Sequence, residues 1–196
     1  MKKSNATYLS NQSLVIRENV SMADYTSLKT GGTADFAVWP ETTTQVLEAF
    51  EFAHLRSLPV TYIGGGTNIL VSDKGIRGMV LFTDALTSCH SNGEVFYAQA
   101  GLSLDSAINS SIEMGLRGLE LLGGLPGTVG GAIAGNAGIH ELAMSDLLLY
   151  VDYLTPDGQL HRIKNTEEVF SYHYSIFPGP EQRFILDAAF VLTPTR

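Results

Sequence analysis

The sequence predicts an α+β protein with a small leading lobe, up to about residue 83, and a larger second lobe. Three observations carry that expectation. Residues 34–63 read as strand, helix, strand, which implies a parallel pair with a crossover. Residues 147–163 read as a β-hairpin around the turn "PDG" at 156–158. Residues 183–194, "RFILDAAFVLTP", alternate and close the chain as a strand. The chain has 196 residues, enough for one large domain or two small lobes, and 44% of them are hydrophobic, which suits a packed core.

The elements follow in order. Residues 1–22 are polar and weakly patterned, read as a short leading helix or a loose arm. "ADFAVWP" (34–40) is a strand closed by Pro40. "ETTTQVLEAFEFAHLRSL" (41–58) is a helix: Glu41 begins it, and Val46, Leu47, Phe50 and Ala53 recur at helical spacing. Pro59 ends it, and "PVTYI" (59–63) is a short apolar strand. "GMVLFT" (78–83) is another. "GEVFYAQAG" (93–101) follows the turn signal "SNG". "SLDSAINSSIEMG" (103–115) is a helix, with Ser103 as its cap and Gly115 at its C-terminal stop. "NTEEVFSYHYSIF" (165–177) starts like a helical turn capped by Thr166 or Asn165.

Composition excludes several functions. Twelve basic against twenty acidic residues give a net charge of −8. The five lysines, Lys2, Lys3, Lys29, Lys74 and Lys164, form no patch for nucleic acid. A single cysteine, Cys89, excludes an internal disulfide and any cysteine-based metal cluster. The N-terminus has no apolar run of a signal peptide, and no stretch is long enough to span a bilayer. The expectation is a cytoplasmic protein with no membrane, nucleic-acid or metal partner.

Two tracts stand out: "YIGGGTNILVSD" (62–73), with three glycines directly after a strand, and "LLGGLPGTVGGAIAGNAG" (121–138). Glycine runs weaken any helix or strand that contains them, so close approach to the backbone is the natural reason for them. A Rossmann fingerprint starting at Gly64 needs glycine at 69, which is Ile69. A Walker loop needs a lysine, and none lies between Lys74 and Lys164. Two loops, 64–68 and 123–131, remain. Either they offer backbone N–H groups to anionic oxygens or they are tight turns.

The tracts "TSLKTGGTADF" (26–36), "IGGGTNILVSD" (63–73), "GLPGTVGGAIAGNAG" (124–138) and "FSYHYSIF" (170–177) occur in this order and roughly this spacing in the UDP-N-acetylenolpyruvoylglucosamine reductase family, which the chain resembles from about residue 20 to its end. The resemblance implies the two-lobed FAD-binding fold of the vanillyl-alcohol-oxidase (PCMH) type. It implies an N-terminal arm (1–22) and two FAD-binding subdomains (23–83 and 84–196). By resemblance Gly64, Gly65, Gly66, Thr67 and Asn68 wrap the FAD pyrophosphate. Pro126, Gly127, Thr128, Gly130 and Gly131, with Asn136 and Gly138 behind them, lie along the flavin. No histidine lies in the first loop, so the FAD is expected to be non-covalent. The implied activity is that of an oxidoreductase. NADPH is the reductant, a nucleotide-sugar enolpyruvyl ether is the substrate, and the product serves peptidoglycan synthesis and so cell-wall biogenesis and cell shape.

The resemblance is incomplete. The family carries a "YR-x-S" motif whose arginine stabilises charge on the substrate, then a serine acid and a glutamate further along. Here the stretch is Tyr172, His173, Tyr174, Ser175. Tyr172 and His173 are the candidate catalytic residues, and histidine lacks the permanent charge and bidentate fork of arginine. The family's later substrate-binding lobe has no counterpart before Arg196, so a separate chain supplying it is an implied partner. His54, His90, His140 and His161 are scattered without metal spacing. His140, two residues after Gly138, is the one placed to face a flavin. A flavin-binding protein or redox module without reductase activity is the second reading, and an α+β scaffold whose loops are plain turns is the third.

Overall fold

In the computed structural model, residues 7–9, 14–139, 142–179 and 181–195 are described. His140 and Arg196 lie outside them. The chain divides into two compact units, Met1–Ala85 and Leu86–Arg196.

The first unit is a five-stranded sheet with one crossover helix. Its strands are β1 (Thr7–Leu9), β2 (Val15–Ser21), β3 (Thr33–Val38), β4 (Val60–Ile63) and β5 (Ile76–Phe82), in the order β1-β2-β3-β5-β4. Residues 7–9 and 15–21 are thus strands in the segment read from sequence as a leading helix or loose arm. Val15–Ser21 alternates buried and open positions while pairing antiparallel with β3, so its polar residues mark one face of a strand. The crossover also differs from the expected pairing. β3 and β4 do not pair with each other, because β5 inserts between them and pairs with both in parallel. Helix α1 (Thr43–Leu55) begins later than expected. Its N-cap is Thr42, whose side chain accepts the N–H of Gln45 at 3.2 Å. It buries Val46, Ala49, Phe50 and Ala53. Across the sheet Trp39 lies flat on Phe82, centroids 4.8 Å apart, and Tyr25 leans on both rings.

The second unit is an antiparallel sheet whose core face is covered by helices. β6 (Cys89–Asn92) and β7 (Val95–Gln99) form a hairpin turning at Gly93, which has φ of 60°. Helix α2 (Leu104–Glu113) is capped by Ser103, which accepts from Ser106 N, and stops before Gly115 at φ 76°. The short helix α3 (Val129–Ala134) and the single turn α4 (Met144–Leu147) precede β8 (Leu148–Leu154). β8 turns through "PDG" into β9 (Leu160–Lys164), with Gly158 at φ 81°. β10 (Phe184–Val191) completes the order β9-β8-β10-β7-β6. Phe96, Ala98, Val151, Ala188 and Phe190 form the core face with Leu104, Ile108, Val129 and Ile133 from the helices.

The helical start expected at 165–177 is one turn only. Val169 and Phe170 both donate to the Thr166 carbonyl, and the chain then forms a small hairpin, Phe170–Ser171 against Tyr174–Ser175. Asn165 does not cap the turn: its side chain donates to the Ser145 carbonyl at 2.6 Å. Among the described residues no helix is long and apolar enough to cross a membrane.

Candidate cofactor-binding site

The first glycine tract leaves β4 at Ile63 and crosses above the segment that follows β2. Gly64 and Gly65 line a cleft of about 270 Å³, with Asp24, Tyr25, Thr26 and Ser27 on one side and Phe82 and Asp84 at the end of β5. Lys29 adds the cleft's single cationic side chain. The segment is fixed from within. Ser27 N donates to the Gly66 carbonyl at 3.0 Å, and Thr26 Oγ1 donates to the Thr30 carbonyl at 3.1 Å.

The three glycines differ. Gly66 is buried, has φ of 63°, and a Cβ there would stand 2.0 Å from the carbonyl oxygen of Tyr25. Its side chain is excluded by the protein's own backbone. Gly64 and Gly65 have no positive φ, and Gly65 is exposed. Thr67 and Asn68 are exposed beyond the cleft lining. Among the described residues, the N–H groups of Gly65, Gly66, Thr67 and Asn68 donate to no other group of the chain. Thr83, between Phe82 and Asp84, has a buried hydroxyl with no partner among the described residues. Loss of hydration raises the pKa of the Asp84 carboxyl, so a proton is held there more readily than on a free aspartate.

The second tract is bound mostly to itself. Gly130 is buried, its N–H donates to the Ala100 carbonyl at 2.8 Å, and a Cβ would stand 2.7 Å from that of Ala100. Thr128 caps α3 by accepting from Gly131 N at 3.3 Å. Asn136, buried with φ of 41°, donates to the Ser171 carbonyl at 2.8 Å and accepts from Ser145 N at 3.0 Å. Gly138 pairs with Ala143 in a two-residue bridge, and a Cβ would meet the Leu142 carbonyl at 2.6 Å. The open backbone of this tract is at Gly123, Gly124, Pro126, Gly131 and Gly135, all exposed, with Gly127 (φ 118°) partly so.

The hairpin with Tyr172 and His173 is pinned to the end of this tract. Besides the Asn136 bond, Ser175 Oγ donates to the Ala134 carbonyl at 2.7 Å. Ser175 is therefore buried and structural. Tyr172 is 90% exposed, and its ring meets that of His173 edge-on. His173 holds φ of 51° at the turn and is exposed. Sequence reasoning assigned no role to Asp24, Tyr25, Ser27, Lys29, Phe82 or Asp84. The signal was present in "TSLKTGGTADF", but the cleft wall joins residues about 40 to 60 positions apart.

The profile of the FAD binding domain family matches residues 34–164. The chain is 35% identical over 179 residues to the UDP-N-acetylenolpyruvoylglucosamine reductase of Lactiplantibacillus plantarum, covering 91% of this chain and 59% of that protein. It is 36% identical over 173 residues to the enzyme of the same name from Geobacillus kaustophilus, covering 88% and 57%. The crystal structure of UDP-N-acetylenolpyruvylglucosamine reductase (MurB) from Thermus caldophilus superposes with a TM-score of 0.78 at 29% identity, covering 93% of this chain and 64% of that one. The chain thus spans about 60% of the length of the curated relatives it matches. With more than half of its residues inside the matched profile, and with this fold and open glycine loop, the chain belongs to the FAD binding domain family.

Proposed function

We propose that the chain binds FAD without a covalent bond, the diphosphate lying against the first glycine tract, as the flavin-binding part of a UDP-N-acetylenolpyruvoylglucosamine reductase. The observation that carries this reading is the pair Gly64 and Gly65 open on a cleft, with the N–H groups from Gly65 to Asn68 unused among the described residues. The fit is chemical as well as steric. Successive backbone N–H groups bind anionic oxygens without a cluster of cations, and the cleft carries one lysine beside two aspartates.

When bound, the flavin supplies hydride transfer from NADPH to the enolpyruvyl group of a UDP-linked sugar, the reduction that leads to peptidoglycan in the cytoplasm. The chain's own residues hold and orient. Gly64 and Gly65 let the diphosphate reach the backbone, and Phe82 with Tyr25 gives the cleft an apolar floor. Asp84 disfavours a nearby anion when ionised, and its raised pKa lessens that cost as the solution becomes more acidic. Tyr172 and His173, exposed on a hairpin locked by Asn136 and Ser175, are presented to whatever binds there.

His173 also favours a second reading, a flavin-binding module without reductase activity. Its exposed ring cannot form the two parallel donors of a guanidinium to a carboxylate. Purified protein tests both. A yellow protein that releases its colour in acid supports flavin binding, and colourless protein that takes up no FAD overturns it. Slow bleaching by NADPH with little product from the enolpyruvyl substrate favours the module, and efficient turnover favours the reductase.

A further inference from the structure

The sheet of the second unit carries a charged cluster that flavin binding does not use. Asp152 on β8 lies opposite Arg162 on β9 and, on its other side, opposite Asp187 on β10. Arg162 donates to both oxygens of the Asp152 carboxylate, Nε to Oδ1 and Nη2 to Oδ2, each at 2.7 Å. The same guanidinium covers the ring of Tyr150 at 3.7 Å. The cation is thereby committed to Asp152. Asp187 stands directly opposite Asp152 in the ladder and forms no ion pair among the described residues. The other titratable groups facing the pair are Tyr150, Tyr97 on β7, and His90 on β6, whose ring stacks on Tyr97 with centroids 4.6 Å apart.

Two carboxyls on directly opposed positions of paired strands do not both ionise freely. Burial first, and the Asp152 charge second, push the Asp187 carboxyl up to about 6, against the opposing pull of Arg162 and His90. The position of the pair gives this a structural consequence. Asp152 faces Asp187 but the next residue, Tyr153, faces Ile185, so the ladder bulges and Leu186 is left over. The Leu186 carbonyl accepts instead from Ala100 N at 3.0 Å, and the Ala100 carbonyl accepts from Gly130 N at 2.8 Å.

We propose that Asp152 and Asp187 share one proton and form a pH-sensitive clasp at this bulge, which seats the second glycine tract through Leu186, Ala100 and Gly130. The clasp goes beyond the proposed function and is tested on ligand-free protein, so it stands or falls separately from flavin binding. The folded Asp187 holds its proton more tightly than the unfolded chain does. The stabilisation is therefore full below the ordinary aspartate value of 3.8 and is lost as pH rises to about 6. The loss amounts to a factor of up to about 100 in the folding equilibrium.

The experiment is carbon-13 NMR titration of the aspartate carboxyls in the whole chain, joined to amide exchange at Ala100 and Gly130. Asp187 is expected to titrate near 6, and exchange protection at both amides to fall through the same midpoint. In Asp187→Asn, whose amide donates to Asp152 at any pH, protection is expected to stay level. An Asp187 titration in the ordinary aspartate range overturns the proposal, as does wild-type protection that stays flat through the titration. If Asp187→Asn does not fold, the wild-type titration and exchange decide.

Discussion

The two glycine tracts place the same residue in opposite surroundings. In the first, Gly64 and Gly65 stand open on a cleft, and among the described residues the N–H groups from Gly65 to Asn68 meet no acceptor. In the second, the glycines with the tightest surroundings, Gly130 and Gly138, make room for the protein itself, against Ala100 and Leu142. Gly66 shows the second case inside the first tract, since Tyr25 occupies the place of its Cβ. A glycine run therefore signals close approach, and only the packing around each position tells whether ligand or chain approaches.

Four substitutions break or sharpen this contrast. Gly66→Ala is expected to be the most disruptive. It combines a left-handed φ with a Cβ 2.0 Å from a carbonyl oxygen, and a loss of roughly 4 kcal/mol is expected in denaturant unfolding. Gly130→Ala adds a methyl between α3 and Ala100, where the new Cβ would stand only 2.7 Å from that of Ala100. Overpacking of this kind costs about 1–3 kcal/mol, read as a lower midpoint at constant slope. Asn136→Ala removes the ties to Ser171 and Ser145. A loss of about 1–2 kcal/mol is expected, with faster amide exchange in the 170–175 hairpin. Gly65→Val should leave stability within about 0.5 kcal/mol, as an exposed position without positive φ. A large loss there would mean that Gly65, like Gly66, is shaped by the chain's own packing.

How much of this the sequence revealed depends on range. The Ser103 cap, the Gly115 stop and the "PDG" hairpin were legible because each is decided within a few residues. The insertion of β5 between β3 and β4 was not, because strand order is decided by partners tens of residues away. Val15–Ser21 escaped because its alternation is interrupted at Asn19, which has φ of 52°, and because Arg17 and Glu18 read as a polar arm. Thr166 starts a turn that looks helical, but the chain ends it by pairing Phe170 with Ser175. Both glycine tracts were legible as candidate sites. The opposite wall of the first, from Asp24 to Lys29 and at Asp84, was not, since it is assembled from segments far apart in the chain.

FAD binding by the first glycine tract is tested by titrating FAD into the refolded, colour-free chain and into Gly65→Val, with thermal unfolding measured on both. The unmodified chain is expected to take up FAD non-covalently and turn yellow. Gly65→Val is expected to unfold at nearly the same temperature and to take up none, because valine at an open glycine blocks the approach to the N–H groups beyond it. Equal FAD affinity in the two proteins would contradict the claim that the first glycine tract holds the diphosphate.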